Sequence, residues 1–107
     1  MNLILLSVST NAQFVKEHGQ LKVVGTQLTD NSGNPVVLRG VSYGWHNWWP
    51  QFYNKETVTW LKSDWNVTVV RAAMGVDADD NSYIKSPKTS VKKIETVVDA
   101  AIASGIM

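Results

Sequence analysis

Cysteine is absent from the sequence, which excludes disulfide frameworks and thiolate metal sites and leaves the compartment open. An excess of one charge is lacking too: 10 Lys and Arg oppose 9 Asp and Glu, for a formal net charge of +1 at pH 7. No basic block or Arg-rich stripe breaks that balance, so little attracts a polyanion and no nucleic-acid partner is expected. The apolar stretch at the start, Leu3 to Val8, is far too short to cross a bilayer, and no membrane partner is expected. Glutamate is scarce, at positions 17, 56 and 95.

What is present describes a globular chain, with 44% hydrophobic and 18% charged residues. MNLILLSVSTNAQ turns from apolar to small and polar, with Thr10 and Ala12 at the spacing of the small residues before a signal-peptidase cut. Residues 1–12 are therefore expected to be the remnant of a secretory signal peptide, and the protein to be secreted or periplasmic; a strand at Leu3 to Val8 is the alternative. Residues 13–107 are then the folded part.

From Gly19 to Leu38 the pattern reads strand, turn, strand. LKVVGTQLTD is rich in β-branched residues, NSGNP is turn chemistry, and VVLRGVSY is again β-rich. The expectation is a hairpin of Leu21 to Thr29 against Val36 to Leu38, whose second arm continues into a buried strand. Asn54 offers an N-cap to a helix in which Val58, Leu61 and Trp65 recur at helical spacing. NVTVVRAAM, residues 66–74, has the length and apolar continuity of a parallel strand buried on both faces, interrupted by Arg71. Pro87 then suits the first position of a second helix, with Val91, Ile94, Val98, Ala101 and Ile102 on one face and Gly105 as the C-cap.

Strand, helix, strand, helix is the grammar of an α/β fold with parallel strands. Two such strands and two helices bury too little to make a stable sheet alone. The chain is therefore expected to be the front part of a longer domain.

Residues 40–54, GVSYGWHNWWPQFYN, concentrate three tryptophans, two tyrosines, a phenylalanine and a histidine. Core packing is the default for such rings, and Trp49, Phe52 and Trp60 are assigned to it. Tyr43, Trp45, His46, Asn47 and Trp48 instead interleave flat apolar faces with hydrogen-bonding groups in the loop after the first core strand. That mixture suits a pyranose, which offers a C–H face to stack on an indole and a rim of hydroxyls, and also suits other flat ligands. Arg71 lies near the C-terminal end of its strand, where parallel sheets build sites; a structural ion pair is the competing reading.

Other motifs carry less. In DADDN, Asp77, Asp79 and Asn81 have the first spacings of a calcium loop, but Ser82 replaces the turn glycine and Lys88 the bidentate glutamate, so the loop reads as solvated and acidic. Asn66-Val67-Thr68 matches a glycosylation sequon by pattern only. His18 and His46 have no ligand spacing, and neither metal nor cofactor is expected. Glycoside hydrolysis needs two flanking carboxylates, and Glu17, Glu56 and Glu95 all fall away from strand ends, so no catalytic acid is expected in this chain.

VVLRGVSYGW followed by WLKSDWNVTVVRAAM resembles the start of the glycoside hydrolase family 5 cellulases, the endo-β-1,4-glucanases. The resemblance covers Leu21 to about Ile106. It implies a (β/α)8 barrel, of which this chain would hold the closing hairpin and the first two βα units. It also implies a retaining mechanism, with an acid/base glutamate after the fourth strand and a nucleophile glutamate after the seventh, both beyond Met107. By the same resemblance, Arg71 matches the arginine that hydrogen-bonds the nucleophile, and Trp48 matches an aromatic that stacks on a glucosyl unit. Trp45, His46 and Asn47 are the neighbouring candidates for substrate contact. Gly44 stands where many relatives have a cleft histidine and Gly75 where many have a tyrosine. The implied partner is a β-glucan polysaccharide, the implied parent a monomer, and the 107 residues alone are expected to be inactive. Two other readings stay open: a free-standing sugar-binding module, and a barrel hydrolase for mannan or xyloglucan.

Overall fold

The computed structural model describes residues 13–107, so the expected leader at 1–12 lies outside the described residues. A short helix α1 (Phe14–His18) leads into strands β1 (Lys22–Val24) and β2 (Gln27–Thr29). These two pair antiparallel, Lys22 with Thr29 and Val24 with Gln27, around a two-residue turn in which Gly25 takes φ 61°. The hairpin is therefore tighter than the one expected from Leu21–Thr29 against Val36–Leu38. Gly25-Thr26 is itself sufficient turn chemistry, because glycine enters positive φ without steric cost. The NSGNP segment does turn, tied by the Asp30 carboxylate, which accepts from the N–H groups of Ser32 and Asn34 at 2.9 Å each. Its return arm reaches only one bridge, Thr29 with Pro35.

Strand β3 (Gly40–Trp45) follows, then a 3-10 turn over Pro50–Phe52 and helix α2 (Lys55–Trp65). Asn54 caps α2 as its sequence position suggests: the side-chain oxygen accepts from Thr57 N–H at 2.8 Å, satisfying one of the free amides of the first turn. At the other end Asn66 adopts the left-handed conformation, φ 51°, and its N–H returns to Leu61. Val58 and Leu61 are buried, whereas Trp65 and Trp60 are exposed and pair with each other at 5.9 Å. The expected stripe thus fails at Trp65: as the last helical residue it rims an open hollow with Val37, Gly40 and Val41. Trp60, assigned to the core, lies on the outward side of α2.

Strand β4 (Val69–Ala73) lies parallel to β3, Gly40 opposite Val69 and Ser42 opposite Arg71, before helix α3 (Pro87–Ser104) closes the unit. Pro87 occupies the start of α3, and Gly105 caps its end at φ 69°. Both helices cover the same face of the β3–β4 pair. Tyr43, Tyr53, Val58, Leu61, Val67, Val97, Ala100, Ala101 and Ile106 form the core there, with Val41, Val70, Ala72 and Ile94 packed against it.

Two corrections follow from that one-sided cover. β4 is not buried on both faces: among the described residues Arg71 and Ser42 lie on its uncovered side and are exposed. On α3 the buried residues are Ser90, Val97, Ala100 and Ala101, while Val91, Val98 and Ile102 are exposed. Val98 and Ile102 instead line an apolar groove with Val15, Val70 and Ile94 on the flank of α3. At the far edge of β4, Met107 donates its N–H to Thr68 O at 3.0 Å and accepts from Val70 N–H at 2.8 Å. That alternation is a step of a parallel ladder at the edge of β4.

Candidate functional site

The C-terminal ends of β3 and β4 lie side by side and open into two loops, residues 46–54 and 74–86, which is where parallel sheets carry their sites. The register shifts between Ser42 and Trp45, and Gly44 within the shift takes φ 75°. A Cβ at Gly44 would lie 2.7 Å from Cδ1 of Trp49, so the bulge and the indole packed on it both require glycine. The bulge also re-aims the chain: Tyr43 points into the core and Trp45, two residues on, points out. Both belong to β3, whereas the sequence placed them in the loop.

His46 is buried, not available at the surface as a substrate ligand, which corrects its assignment. Its backbone N–H donates to Ala73 O at 3.0 Å, and its Nδ1 accepts from Gly75 N–H at 3.1 Å. With Nδ1 accepting, the neutral ring carries its proton on Nε2, which lies 2.8 Å from Ser90 Oγ and 3.2 Å from Asn81 O. One imidazole thus joins the end of β4, the following loop and α3. Asn47 is also committed internally. Its Nδ2 donates to Asp79 at 3.1 Å, and its Oδ1 is buried at the position a Gly75 side chain would take, 2.0 Å from that Cβ. Gly75 is therefore matched to Asn47 in this chain.

The other expected contacts remain at the surface. Trp45 and Trp48 are exposed, their rings 4.9 Å apart at 42°. The Trp48 Nε1–H donates to Asp79 Oδ2 at 3.1 Å. Trp49 and Phe52 were expected in the core, but they too are exposed and stack on each other at 6.4 Å. The ring of this stretch that ties the end of the loop to the strands is Tyr53. Its buried hydroxyl donates to the Gly44 carbonyl, accepts from Ala73 N–H at 3.0 Å and lies 2.9 Å from Ala73 O. On the uncovered face of the sheet Arg71 donates from Nη1 to Ser42 Oγ at 3.1 Å, and among the described residues it has no carboxylate partner.

The electrostatics follow the packing. Burial pushes the Tyr43 hydroxyl up to about 12, aided by the neighbouring Tyr53, and burial also raises Tyr53 against the opposing backbone bond at Ala73. The Asn47 amide, followed by the donors of Asn81, Trp48 and Ser82, holds the Asp79 carboxyl below its usual range despite some desolvation. Asp79 is thus no free member of a solvated acidic loop.

Residues 29–107 match the family model for Cellulase (glycosyl hydrolase family 5). The chain belongs to this family. An endoglucanase of Clostridium saccharobutylicum is 40% identical over 84 residues, covering 78% of this chain and 18% of that protein. Endoglucanase Z of Dickeya dadantii is 46% identical over 106 residues, covering 95% of this chain and 24% of that protein. The family 5 chain therefore spans about a fifth of the length of such relatives. Among solved structures, a protein of Cytophaga hutchinsonii matches with a TM-score of 0.83 at 46% identity, covering 88% of this chain and 30% of that one. The endoglucanase catalytic domain of Thermobifida fusca matches with a TM-score of 0.79 at 31% identity over the same shares, and a variant of it was solved in complex with cellotetraose.

Sequence reasoning about the family 5 site missed Asp79, Ser82, Ser90 and Ser42. Ser90 had a visible signal, a hydroxyl on the helix face that carries Ile94, Val97 and Ala101. Ser42 had another, its place in a strand whose neighbour bears Arg71. Ser82 had none: its hydroxyl donates to Asp79 O and accepts from Ala78 and Asp79 N–H at 3.1 Å each, contacts that exist only once the loop is folded.

Proposed function

We propose that the chain is the opening part of a secreted or periplasmic endoglucanase catalytic domain that hydrolyses internal β-1,4-glucosidic bonds with retention of configuration. Residues 1–12 are read as the end of its export signal and 13–107 as the hairpin and first two βα units of a (β/α)8 barrel. Supporting the barrel reading are the parallel β3–β4 pair, the helices on one face only and the parallel step made by Met107. β4 would then gain a third strand, and its uncovered face would become the barrel interior.

The observation that carries the functional reading is that Arg71, with no carboxylate partner among the described residues, lies on β4 beside β3, while the exposed Trp45 and Trp48 rings stand at the C-terminal end of β3 and in the loop that follows it. The indoles offer a face for the C–H side of a glucosyl unit. Arg71, steadied by Ser42, keeps donors free for a carboxylate, and a cation there favours the ionised form that a glycosyl-enzyme nucleophile requires. That nucleophile and the acid/base glutamate are assigned to later parts of the polypeptide. The scheme uses no metal or cofactor, and the substrate is a β-glucan.

The test is Arg71→Ala in the full-length polypeptide that carries this segment. The expected outcome is a fall in kcat of at least about 100-fold with cellotetraose affinity changed less than about threefold, as when an interaction made chiefly in the transition state is removed. Unchanged turnover would remove Arg71 from the site.

A further inference from the structure

Trp48 is exposed, its ring 4.9 Å from that of Trp45, so burial in the core does not fix its two side-chain torsions. Its single polar atom is nevertheless tied. Asp79 Oδ2 accepts from Trp48 Nε1 and from Asn47 Nδ2, each at 3.1 Å, while Asp79 Oδ1 accepts from Asn81 N–H at 2.9 Å. One oxygen anchors the carboxylate on its own loop and the other holds the neighbouring loop. Ser82, fully buried, fixes the backbone of Asp79 from below. The carboxylate points at the edge of the indole, so both faces of the ring stay clear of it.

We propose that Asp79 is a positioning residue: it locks the Trp48 indole in one orientation through Nε1, so that the ring is ready to stack on a glucosyl unit without Asp79 touching the sugar. The inference rests on the reading of Trp48 as a sugar platform. An indole that must be ordered on binding loses affinity through the torsional freedom it gives up, and a pre-set one does not. Freezing one rotamer-rich side chain corresponds to roughly a three- to tenfold change in affinity. The carboxylate suits the task better than a hydroxyl, because a charge-assisted bond to an exposed N–H competes better with water. It is assigned no contact with the bond that is cleaved, so its loss should act on binding and not on bond breaking.

The experiment uses the full-length polypeptide, with cellotetraose as the probe, and four variants: Asp79→Ala, Asp79→Asn, Trp48→Ala and the Asp79→Ala/Trp48→Ala pair. Asp79→Ala should raise KM and Kd roughly three- to tenfold and change kcat less than about twofold. Asp79→Asn keeps one acceptor oxygen for the indole N–H, at the loss of the Asn81 bond and of the charge, and should recover part of the affinity, which a lost negative charge at the sugar would not allow. The double variant should bind no worse than Trp48→Ala alone, since a positioning residue has nothing to position once the ring is gone. Full additivity would overturn the inference in favour of a direct Asp79–sugar contact. Wild-type affinity in Asp79→Ala alongside a large loss in Trp48→Ala would overturn it and leave the sugar platform standing. Wild-type affinity in Trp48→Ala would remove the platform and the inference together.

Discussion

Within the stretch from Tyr43 to Tyr53 two sets of rings behave in opposite ways. Tyr43, His46 and Tyr53 are 8%, 1% and 5% exposed, whereas Trp45, Trp48, Trp49 and Phe52 are 43%, 57%, 48% and 44% exposed. Hydrophobicity alone would sort them differently, since the tryptophans and phenylalanine are the more apolar group. Hydrogen bonding accounts for two of the three buried rings: His46 and Tyr53 reach across to β4, its following loop and α3, and each bond they make joins two elements, while Tyr43 is held by packing. Among the described residues the outward rings make almost none, and the exception, Trp48, is bonded through its ring N–H at the edge of the indole. In this loop, polar rings hold the architecture and apolar rings are displayed.

The sharpest way to break that division is at Gly44, where the chain leaves regular strand geometry. Gly44→Ala would place a side chain at φ 75° and 2.7 Å from the Trp49 ring, which forces either the backbone or the indole to move. The expected loss is about 3 kcal/mol, the upper part of the range for one strained backbone position. Urea unfolding checks it, and a midpoint equal to wild type would mean that the bulge tolerates a side chain. Tyr53→Phe attacks the buried set directly. It leaves the Gly44 carbonyl and Ala73 N–H without their bond, although Ala73 O keeps the His46 N–H. A loss of about 2 kcal/mol is expected, the usual consequence of orphaning buried backbone groups. A half-exposed counterpart provides the comparison: Trp49→Ala leaves no buried backbone group without a bond and should cost less than Tyr53→Phe.

Much of this was legible in advance, and the misses share a cause. The Asn54 cap, the Pro87 start, the Gly105 cap and the position of β4 were readable because each depends on neighbours a few residues away. The faces of α3, the exposure of Trp65 and the open side of β4 were not, because they depend on which neighbours cover them, and only one face of the sheet is covered among the described residues. The hairpin was misread for a different reason: two competent turns, Gly25-Thr26 and NSGNP, lie close together, and local chemistry does not rank them. In the site, residue types suggested which rings belong together. Their orientation came from one bulge and one carboxylate, Gly44 and Asp79, neither of which has a periodic signature.

The smallest expected effect has the opposite sign and comes from the remaining buried ring. Tyr43 packs edge-on against Tyr53 at 5.6 Å and 89°, yet its hydroxyl is buried with no hydrogen-bond partner among the described residues. Tyr43→Phe keeps the ring contact and removes the unpaired group, so stability near neutral pH should stay level or rise by up to about 1 kcal/mol. The pH dependence gives a second check. Burial raises the folded-state pKa from 10.0 to about 12, so the folded state holds its proton more tightly than the unfolded chain. The stability linked to that proton is fully present below the unfolded value of 10.0 and is lost as pH rises through about 12. Tyr43→Phe should therefore lose less stability than wild type across that alkaline window. A drop at neutral pH comparable to that of Tyr53→Phe would show that the Tyr43 hydroxyl is bonded, and that the buried rings act as one hydrogen-bonded set instead of two tied groups and a packed one.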